Sequence, residues 1–236
     1  MNIDRLPNAQ AVFIHENLDD LSLAAANRIA ELAEQAIAAR GVFHLVLAGG
    51  ETPRRCYARL RHLAIDWAHV QIYFGDERCL PINDANRNDS MANDALLRHV
   101  AIPKANIHAI KAELGASVAA PGYAAVVEHI VLDLVLLGMG EDGHTASLFP
   151  GNPVSQAPVL PVYDAPKPPR ERVTLGLVTL NAARRRIFLV AGEGKRAALT
   201  QILQGVPLPA ACVVTAEWHL DRAALPEGLA SQNSGG

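Results

Sequence analysis

Cysteine is scarce in this chain of 236 residues. Cys56, Cys79 and Cys212 lie far apart, and no CxxC pair occurs. An odd and scattered set of cysteines argues against a disulfide framework and against a zinc knuckle. We therefore expect a reducing, cytoplasmic setting for the protein.

Long apolar runs and an excess of positive charge are also missing. No stretch approaches the ~20 apolar residues of a membrane-spanning helix, and the beginning, MNIDRLPNAQ, lacks the apolar segment of a signal peptide. The formal net charge is −3, with 21 basic against 24 acidic residues, unlike the basic excess typical of nucleic-acid-binding proteins. The composition predicts a soluble protein without membrane or nucleic-acid partners.

The chain does contain an alternation of apolar strands and amphipathic helices. The best strands are continuously apolar, which is typical of a parallel sheet covered by helices on both faces. We expect one α/β domain over residues 1–230, a long loop with a short extended piece over 154–172, and a disordered tail over 231–236. The patterns predict strands over 11–15, 42–48, 70–74, 132–138, 172–180, 186–192 and 217–221, and helices over 18–40, 53–60, 89–99, 123–130 and 193–203.

Four polar turns follow predicted strands. They read GGETP (49–53), GDER (75–78), GMGEDGH (138–144) and GEGK (192–195). In parallel α/β sheets, ligands bind beyond the carboxyl ends of the strands. Four such turns at equivalent positions predict a common site more strongly than any one of them alone.

The GGETP turn has the features of an anion cradle. Gly49 and Gly50 allow close backbone approach, Thr52 adds a hydroxyl, and the following helix offers free N–H groups. The turn matches neither the Walker loop nor the dinucleotide fingerprint. The same residues would equally suit a tight turn with a helix cap, and their spacing does not decide between the two.

Two cations follow other strands. Arg78 could clamp a phosphate as a planar fork. The acids Asp76 and Glu77 could instead only orient Arg78, or the group could form a surface salt bridge. Lys195 could hold an anionic group or could be a solvated lysine in the first turn of a helix. Either residue alone favours the ordinary structural role, so the prediction depends on their convergence.

His144 is the one histidine of nine in a setting typical of catalysis. It follows a buried strand, with Asp142 two residues before it, and imidazole exchanges protons near neutral pH. The alternative is a loop histidine that caps the next helix. No third ligand has metal-site spacing, so we expect neither metal nor cofactor. The residues alone predict acid–base work on an anionic small molecule and leave hydrolysis and isomerisation open.

The same blocks resemble a known family over nearly the whole chain. LAGGETPRRCYARL, YFGDERCLP, LLGMGEDGHTASLFPG and RVTLGLVTLNAARRRIFLVAGEGKRAAL are similar, in this order, to motifs of the 6-phosphogluconolactonases, whose family also includes the glucosamine-6-phosphate deaminases. The deaminases have a motif similar to DGHIAFNEPG, in which the glutamate serves ring opening. This chain has DGHTASLFPG at the same place and lacks that acid. The lactonase branch is therefore favoured.

The resemblance implies a modified Rossmann-like α/β fold with a small extra antiparallel element. It implies hydrolysis of 6-phospho-D-glucono-1,5-lactone to 6-phosphogluconate, the second step of the oxidative pentose phosphate pathway, by a monomer or small homo-oligomer. The resemblance gives catalysis to His144 and Asp142. It gives substrate and phosphate binding to Gly49, Gly50, Thr52, Asp76, Arg78, Asn88 and Lys195.

One departure and two alternatives accompany this resemblance. Lactonases of the family usually have Ser-Asn where this chain has Arg87-Asn88. The rival enzyme is an aldose–ketose isomerase or deaminase acting on a sugar phosphate. The non-enzymatic alternative is a sugar-phosphate sensor, which the absence of a DNA-binding segment disfavours.

Overall fold

Six parallel strands form the central sheet of the computed structural model, which describes residues 3, 6–152 and 155–229. The predicted disordered tail lies outside the described residues. The strands are β1 (Ala9–His15), β2 (Phe43–Leu47), β3 (Val70–Phe74), β4 (Asp76–Arg78), β5 (Leu134–Gly138), β6 (Val159–Val162), β7 (Arg172–Leu175), β8 (Arg185–Val190) and β9 (Ala216–Asp221). The central sheet has the order β1-β9-β8-β5-β2-β3, which confirms the expected parallel α/β architecture.

Helices flank this sheet. Consecutive residues of β5 and β8 are buried, and because successive side chains of a strand point to opposite faces, both faces of the sheet are covered. The α-helices of the described residues are α1 (Leu18–Arg40), α2 (Glu51–Leu60), α3 (Asn88–Ala95), α4 (Ala116–Val127), α5 (Leu177–Ala182) and α6 (Arg196–Leu203).

Helix α1 has the bounds that the sequence predicts. The Asn17 side chain accepts hydrogen bonds from the backbone N–H groups of Asp19 and Asp20, each at 2.9 Å, and these acids complement the positive end of the helix dipole. Gly41 ends the helix in the left-handed region, with φ of 76°, where glycine is unstrained.

A second, three-stranded antiparallel sheet has the order β4-β7-β6. It is the small extra element that the resemblance implies, and β6 is the short extended piece expected within the long loop. The GDER turn prediction was incomplete, because Asp76–Arg78 forms strand β4 of this sheet. Its partner β7 lies far away in sequence, so local pattern gave no sign of the pairing.

Three predicted elements were wrong in extent. The strand expected over 172–180 ends at Leu175, and α5 begins after Gly176, at which a Cβ atom would overlap the Ala157 carbonyl oxygen. Helix α4 begins at Ala116 rather than at 123, because buried alanines on its first turns pack against the core despite Pro121 and override local propensity. Helix α3 ends at Ala95, because Leu96 leaves helical geometry with φ of −137°.

The strand order places a topological switch between β2 and β5. From β2 the chain moves outward to β3, and then crosses back to β5, β8 and β9 on the other side. Ligands of open α/β sheets bind at such a switch, beyond the carboxyl ends of the strands. The GGETP and GMGEDGH turns meet at this point.

Candidate functional site

Three adjoining cavities lie at the carboxyl ends of β2, β3, β5 and β8, as the four turns predict. The central cavity, of about 240 Å³, is lined by residues of all four turns, among them Gly49, Asp76, His144 and Lys195. The glycine-loop cavity, of about 340 Å³, contains Gly49, Gly50, Thr52 and Lys195. The proline-loop cavity, of about 730 Å³, shares no lining residue with the glycine-loop cavity and contains His144 and the Pro166–Pro169 segment.

His144 and Asp142 form a hydrogen-bonded pair in the loop after β5. Nδ1 of His144 lies 2.5 Å from Oδ1 of Asp142, and the same oxygen accepts the His144 backbone N–H at 3.1 Å. Burial raises the pKa of the Asp142 carboxyl, but the backbone N–H and imidazole of His144 lower it more, so the net pKa lies below its ordinary value. An ionised carboxylate accepts a hydrogen bond from Nδ1–H, and this leaves Nε2 as the basic nitrogen.

Glycine makes this tight loop possible. A Cβ atom on Gly140 would overlap Nδ1 of His144 and Oδ1 of Asp142, and Gly143 has a φ of +79°. The Gly140 N–H also donates to the His144 carbonyl oxygen at 2.8 Å, which closes the loop. The two glycines thus fix where the imidazole points.

The GGETP turn presents the N-terminus of α2 to the glycine-loop cavity. Gly50 precedes the helix with a φ of 104°, and no side chain of the described residues caps it. The Tyr57 hydroxyl bonds both the backbone N–H and the carbonyl oxygen of Ala48, at 2.8 and 2.9 Å, and so anchors the turn. Free N–H groups at a helix start favour an anion, as the sequence predicts.

Lys195 faces the same anion cradle from the turn after β8. Its side chain lines both the central and the glycine-loop cavities. Burial lowers the pKa of its ammonium group, and the nearby Glu141 carboxylate opposes this. A half-buried cation beside free backbone N–H groups is suited to a doubly charged anion such as a phosphate.

Asp76 and Asn88 line the central cavity but bond mainly to each other. The Asn88 Nδ2 donates to the Asp76 carbonyl oxygen at 2.9 Å and to Oδ1 at 3.0 Å. The other Asp76 oxygen accepts the Ser147 hydroxyl at 2.6 Å. A Cβ atom on Gly49 would overlap the Asn88 amide. The two residues therefore form the wall against which the glycine turn packs.

Arg87, at the position where the resemblance leads one to expect serine, lies away from the three cavities. Its buried guanidinium forms ion pairs with Asp89 at 2.7 Å and Glu113 at 3.1 Å. It also donates to the carbonyl oxygens of Leu80 and Ile110. With these partners Arg87 links neighbouring loops. Arginine in place of the family's serine therefore changes contacts outside the cavities and leaves Asn88 in place.

Arg172 is a cavity residue that the sequence did not reveal. It is buried, it lines both the central and proline-loop cavities, and its guanidinium lies 5.6 Å from the centre of the Phe149 ring. The sequence offered only an arginine at the start of a predicted strand. The pairing of β7 with β4, which places it opposite Arg78, has no local sequence signal.

Two negative findings apply to the described part of the chain. No group of three or more His, Cys, Asp or Glu side chains there is arranged to hold a metal ion. None of its helices combines the length and apolar character needed to cross a membrane.

The chain is similar to known proteins over most of its length. A family model for glucosamine-6-phosphate isomerases/6-phosphogluconolactonase matches residues 16–220. The 6-phosphogluconolactonase of Homo sapiens is 36% identical, with 92% of this chain and 93% of that protein covered. The chain is also 37% identical to the GDH/6PGL endoplasmic bifunctional protein of Oryctolagus cuniculus, but spans only 24% of that longer protein.

Solved structures agree with the expected fold. The 6-phosphogluconolactonase of Thermotoga maritima superposes with a TM-score of 0.83 at 29% identity, covering 89% of this chain and 99% of that one. A monomeric glucosamine-6-phosphate deaminase has a TM-score of 0.81 at 22% identity, covering 91% and 98%, and so shares the fold. The names of the curated relatives support the expected class of lactone-hydrolysing enzyme.

Proposed function

Since the chain belongs to the glucosamine-6-phosphate isomerase/6-phosphogluconolactonase family, we propose that it hydrolyses 6-phospho-D-glucono-1,5-lactone to 6-phosphogluconate. The observation that carries this proposal is the Asp142–His144 pair, bonded at 2.5 Å and placed between two sets of anion-binding groups. A base at this place can act on the carbonyl of a substrate whose phosphate is bound by the glycine turn and Lys195.

His144 acts as the general base. Its Nε2 takes a proton from a water molecule as the water oxygen attacks C1 of the lactone. Asp142 accepts the Nδ1–H bond, holds the ring in the required tautomer and stabilises the imidazolium that forms. The carbonyl oxygen becomes an oxyanion, which needs a cationic or N–H partner.

The second half of the reaction returns the proton. The bond between C1 and the ring oxygen breaks, and the imidazolium of His144 protonates the departing oxygen, which becomes the hydroxyl of C5. C1 becomes a carboxylic acid, which ionises at neutral pH. One histidine serves as base and then as acid, so the cycle ends with His144 neutral.

The glycine loop and Lys195 hold the phosphate in this proposal. Gly49, Gly50 and Thr52 stand at the N-terminus of α2, whose partial positive charge favours an anion. Lys195 adds a full charge to the lining of the same cavity. Holding the phosphate positions the carbonyl for attack and reduces the entropy cost of the reaction.

One contact favours the lactonase over the deaminase. Phe149 occupies the position of the glutamate in the deaminase-like motif, and its ring lies 4.8 Å from the His144 ring, centre to centre. An apolar ring beside the base supplies no proton for opening an amino sugar. It suits a reaction in which His144 alone moves the proton.

The proposed setting is a reducing cytoplasm, with residues 1–230 forming one domain that works as a monomer or small homo-oligomer. Cys56, Cys79 and Cys212 are unpaired, and burial raises the pKa of the Cys56 thiol to about 12. Such a thiol is inert at neutral pH, in keeping with a packing role.

A coupled assay tests the proposed reaction. Glucose 6-phosphate and its dehydrogenase generate the lactone in situ, and 6-phosphogluconate dehydrogenase reports the product. We expect the protein to accelerate product formation above the spontaneous rate, with and without a chelator. In parallel, glucosamine 6-phosphate should release no ammonia. Ammonia release without lactone hydrolysis would replace the lactonase with the deaminase.

A further inference from the structure

Two arginines stand opposite each other across the small antiparallel sheet. In the register of β4 and β7, Arg78 is paired directly with Arg172. Both side chains line the central cavity and the proline-loop cavity. Like charges placed opposite on neighbouring strands destabilise a sheet. An anion bound between the two guanidinium groups would offset this cost.

The described residues do not neutralise the pair. Arg172 donates from Nε to the Pro169 carbonyl oxygen at 3.0 Å and from Nη2 to that of Lys167 at 2.9 Å. Arg78 donates from Nη1 to the Asn86 carbonyl oxygen at 2.7 Å, and its buried Nε has no partner among these residues. Neither guanidinium forms an ion pair with a carboxylate of the described chain.

The electrostatic surroundings of Arg172 favour the binding of an anion there. Burial lowers the pKa of its guanidinium, the neighbouring Arg78 lowers it further, and only the Asp76 carboxylate opposes them. Asp76 is already engaged by Asn88 and Ser147. A guanidinium remains protonated in proteins. The repulsion between the two arginines is therefore not relieved by loss of a proton, and a bound anion would relieve it.

The cavities separate this pair from the phosphate cradle. Arg78, Arg172 and His144 together line the proline-loop cavity, whereas Lys195 and the glycine turn line the glycine-loop cavity. All of them meet only in the central cavity. A ligand with a phosphate in the cradle would place its far end beside His144 and the two arginines.

We infer that Arg172, together with Arg78, binds the C1 oxygens of the reacting molecule: the oxyanion of the intermediate and then the carboxylate of the product. This inference rests on the proposed function and assigns the two cationic regions to the two ends of the substrate. The planar fork of a guanidinium matches two carboxylate oxygens. Arg172 also fixes the Lys167–Pro169 segment, which forms one wall of the same cavity.

The test compares two ligands that differ only at C1. 6-Phosphogluconate carries a carboxylate there, and glucitol 6-phosphate carries a hydroxymethyl group. Calorimetric titration should show that Arg172→Gln weakens binding of 6-phosphogluconate by about tenfold or more, while binding of glucitol 6-phosphate changes by less than about twofold. Lys195→Gln should weaken both ligands. Arg172→Lys should restore part of the lost affinity for 6-phosphogluconate.

Two further variants keep the result interpretable. Arg170→Gln removes the same charge from an exposed position on the same loop and should leave both affinities unchanged. If Arg172→Gln fails to fold, Arg78→Gln should show the same selective loss, because its backbone contact is with a different segment. Arg172→Gln should also lower kcat more than it raises KM.

The outcomes separate this inference from the proposed function. Equal loss of both ligands, or no loss of 6-phosphogluconate, in Arg172→Gln would overturn the assignment even if the wild-type enzyme hydrolyses the lactone normally. A selective loss would support carboxylate recognition by Arg172 even if no lactone hydrolysis were detected, and in that case only the proposed reaction would fail.

Discussion

At the scale of single residues, the site depends on glycines as much as on ionisable groups. Gly49 leaves room for the Asn88 amide, and Gly140 leaves room for the Asp142–His144 pair. The base is held by its own loop, so its orientation depends on the space that Gly140 leaves beside it.

A methyl group at Gly140 should therefore damage catalysis selectively. We expect Gly140→Ala to displace the His144 ring and to lower kcat by about tenfold or more, since small misplacements of a catalytic group are costly. The thermal midpoint should change little, because the displaced side chains lie at a cavity. Steady-state kinetics and a melting curve measure the two effects.

Gly122→Ala is the matched control. This glycine lies within α4 with nothing near its Cβ position, so alanine should leave activity intact and stabilise the helix slightly. Unchanged kcat in Gly140→Ala would show that the imidazole tolerates a shift, and would remove the steric account of the loop.

The sequence indicated those candidate site residues whose partners are near in the chain. His144 and Asp142 are two positions apart, and Gly49 and Gly50 follow a recognisable strand. Arg172 escaped notice because its significance depends on the register between β4 and β7. That register is set by tertiary packing, which no short stretch encodes.

At the scale of elements, helix α3 begins on a carboxylate from another strand. Glu77 of β4 accepts the backbone N–H groups of Asn88 and Asp89, each at 2.8 Å, and that of Arg78 at 2.8 Å. Arg87 precedes the helix without a side-chain cap of its own. Glu77 thereby ties α3, and with it Asn88, to the small sheet beside the cavity.

Removing this remote cap should destabilise the protein. Glu77→Ala leaves three N–H groups without their acceptor, and each buried unsatisfied group costs about 1–3 kcal/mol. We expect the free energy of unfolding in urea to fall by at least about 2 kcal/mol. Glu77→Gln keeps one acceptor oxygen and should fall between wild type and Glu77→Ala. Equal stability of all three proteins would contradict the capping role.

Elements with a complete local pattern were predicted well, and those that depend on distant contacts were not. Strand β5 is apolar throughout and ends at a glycine, and α1 has both of its caps, Asn17 and Gly41, in the sequence. In contrast, RVTLGLVTL has strand-like residues throughout, yet the contact between Gly176 and Ala157 divides it into β7 and α5. Apolar composition cannot reveal such a contact.

At the scale of the whole molecule, the buried His219 and the half-buried His15 form a pair that links folding to pH. Nε2 of His15 lies 3.0 Å from Nδ1 of His219, joining β1 to β9. Burial, together with the charges of His15 and Arg28 and against that of Glu217, lowers the pKa of His219 to about 4. Burial also lowers the pKa of His15, against the charges of Asp20 and Asp221.

Stability should therefore fall as the pH falls through the window from about 6.5 to about 4. In that range the unfolded chain binds a proton at position 219 and the folded protein does not, so protonation favours unfolding. The contribution of His219 is on the order of 3 kcal/mol. Denaturant titrations at several pH values should show a shallower decline in His219→Phe; identical slopes would exclude His219 as the titrating group.

The central claim is that His144 is the general base of the hydrolysis. The most direct measurement is the lactonase rate of His144→Ala in the coupled assay, with the exposed His129→Asn as control and 6-phosphogluconate affinity measured on both. The account predicts a loss of about 10²–10⁴-fold in turnover, retained product affinity, and normal activity in the control. Turnover close to wild type in His144→Ala would contradict it.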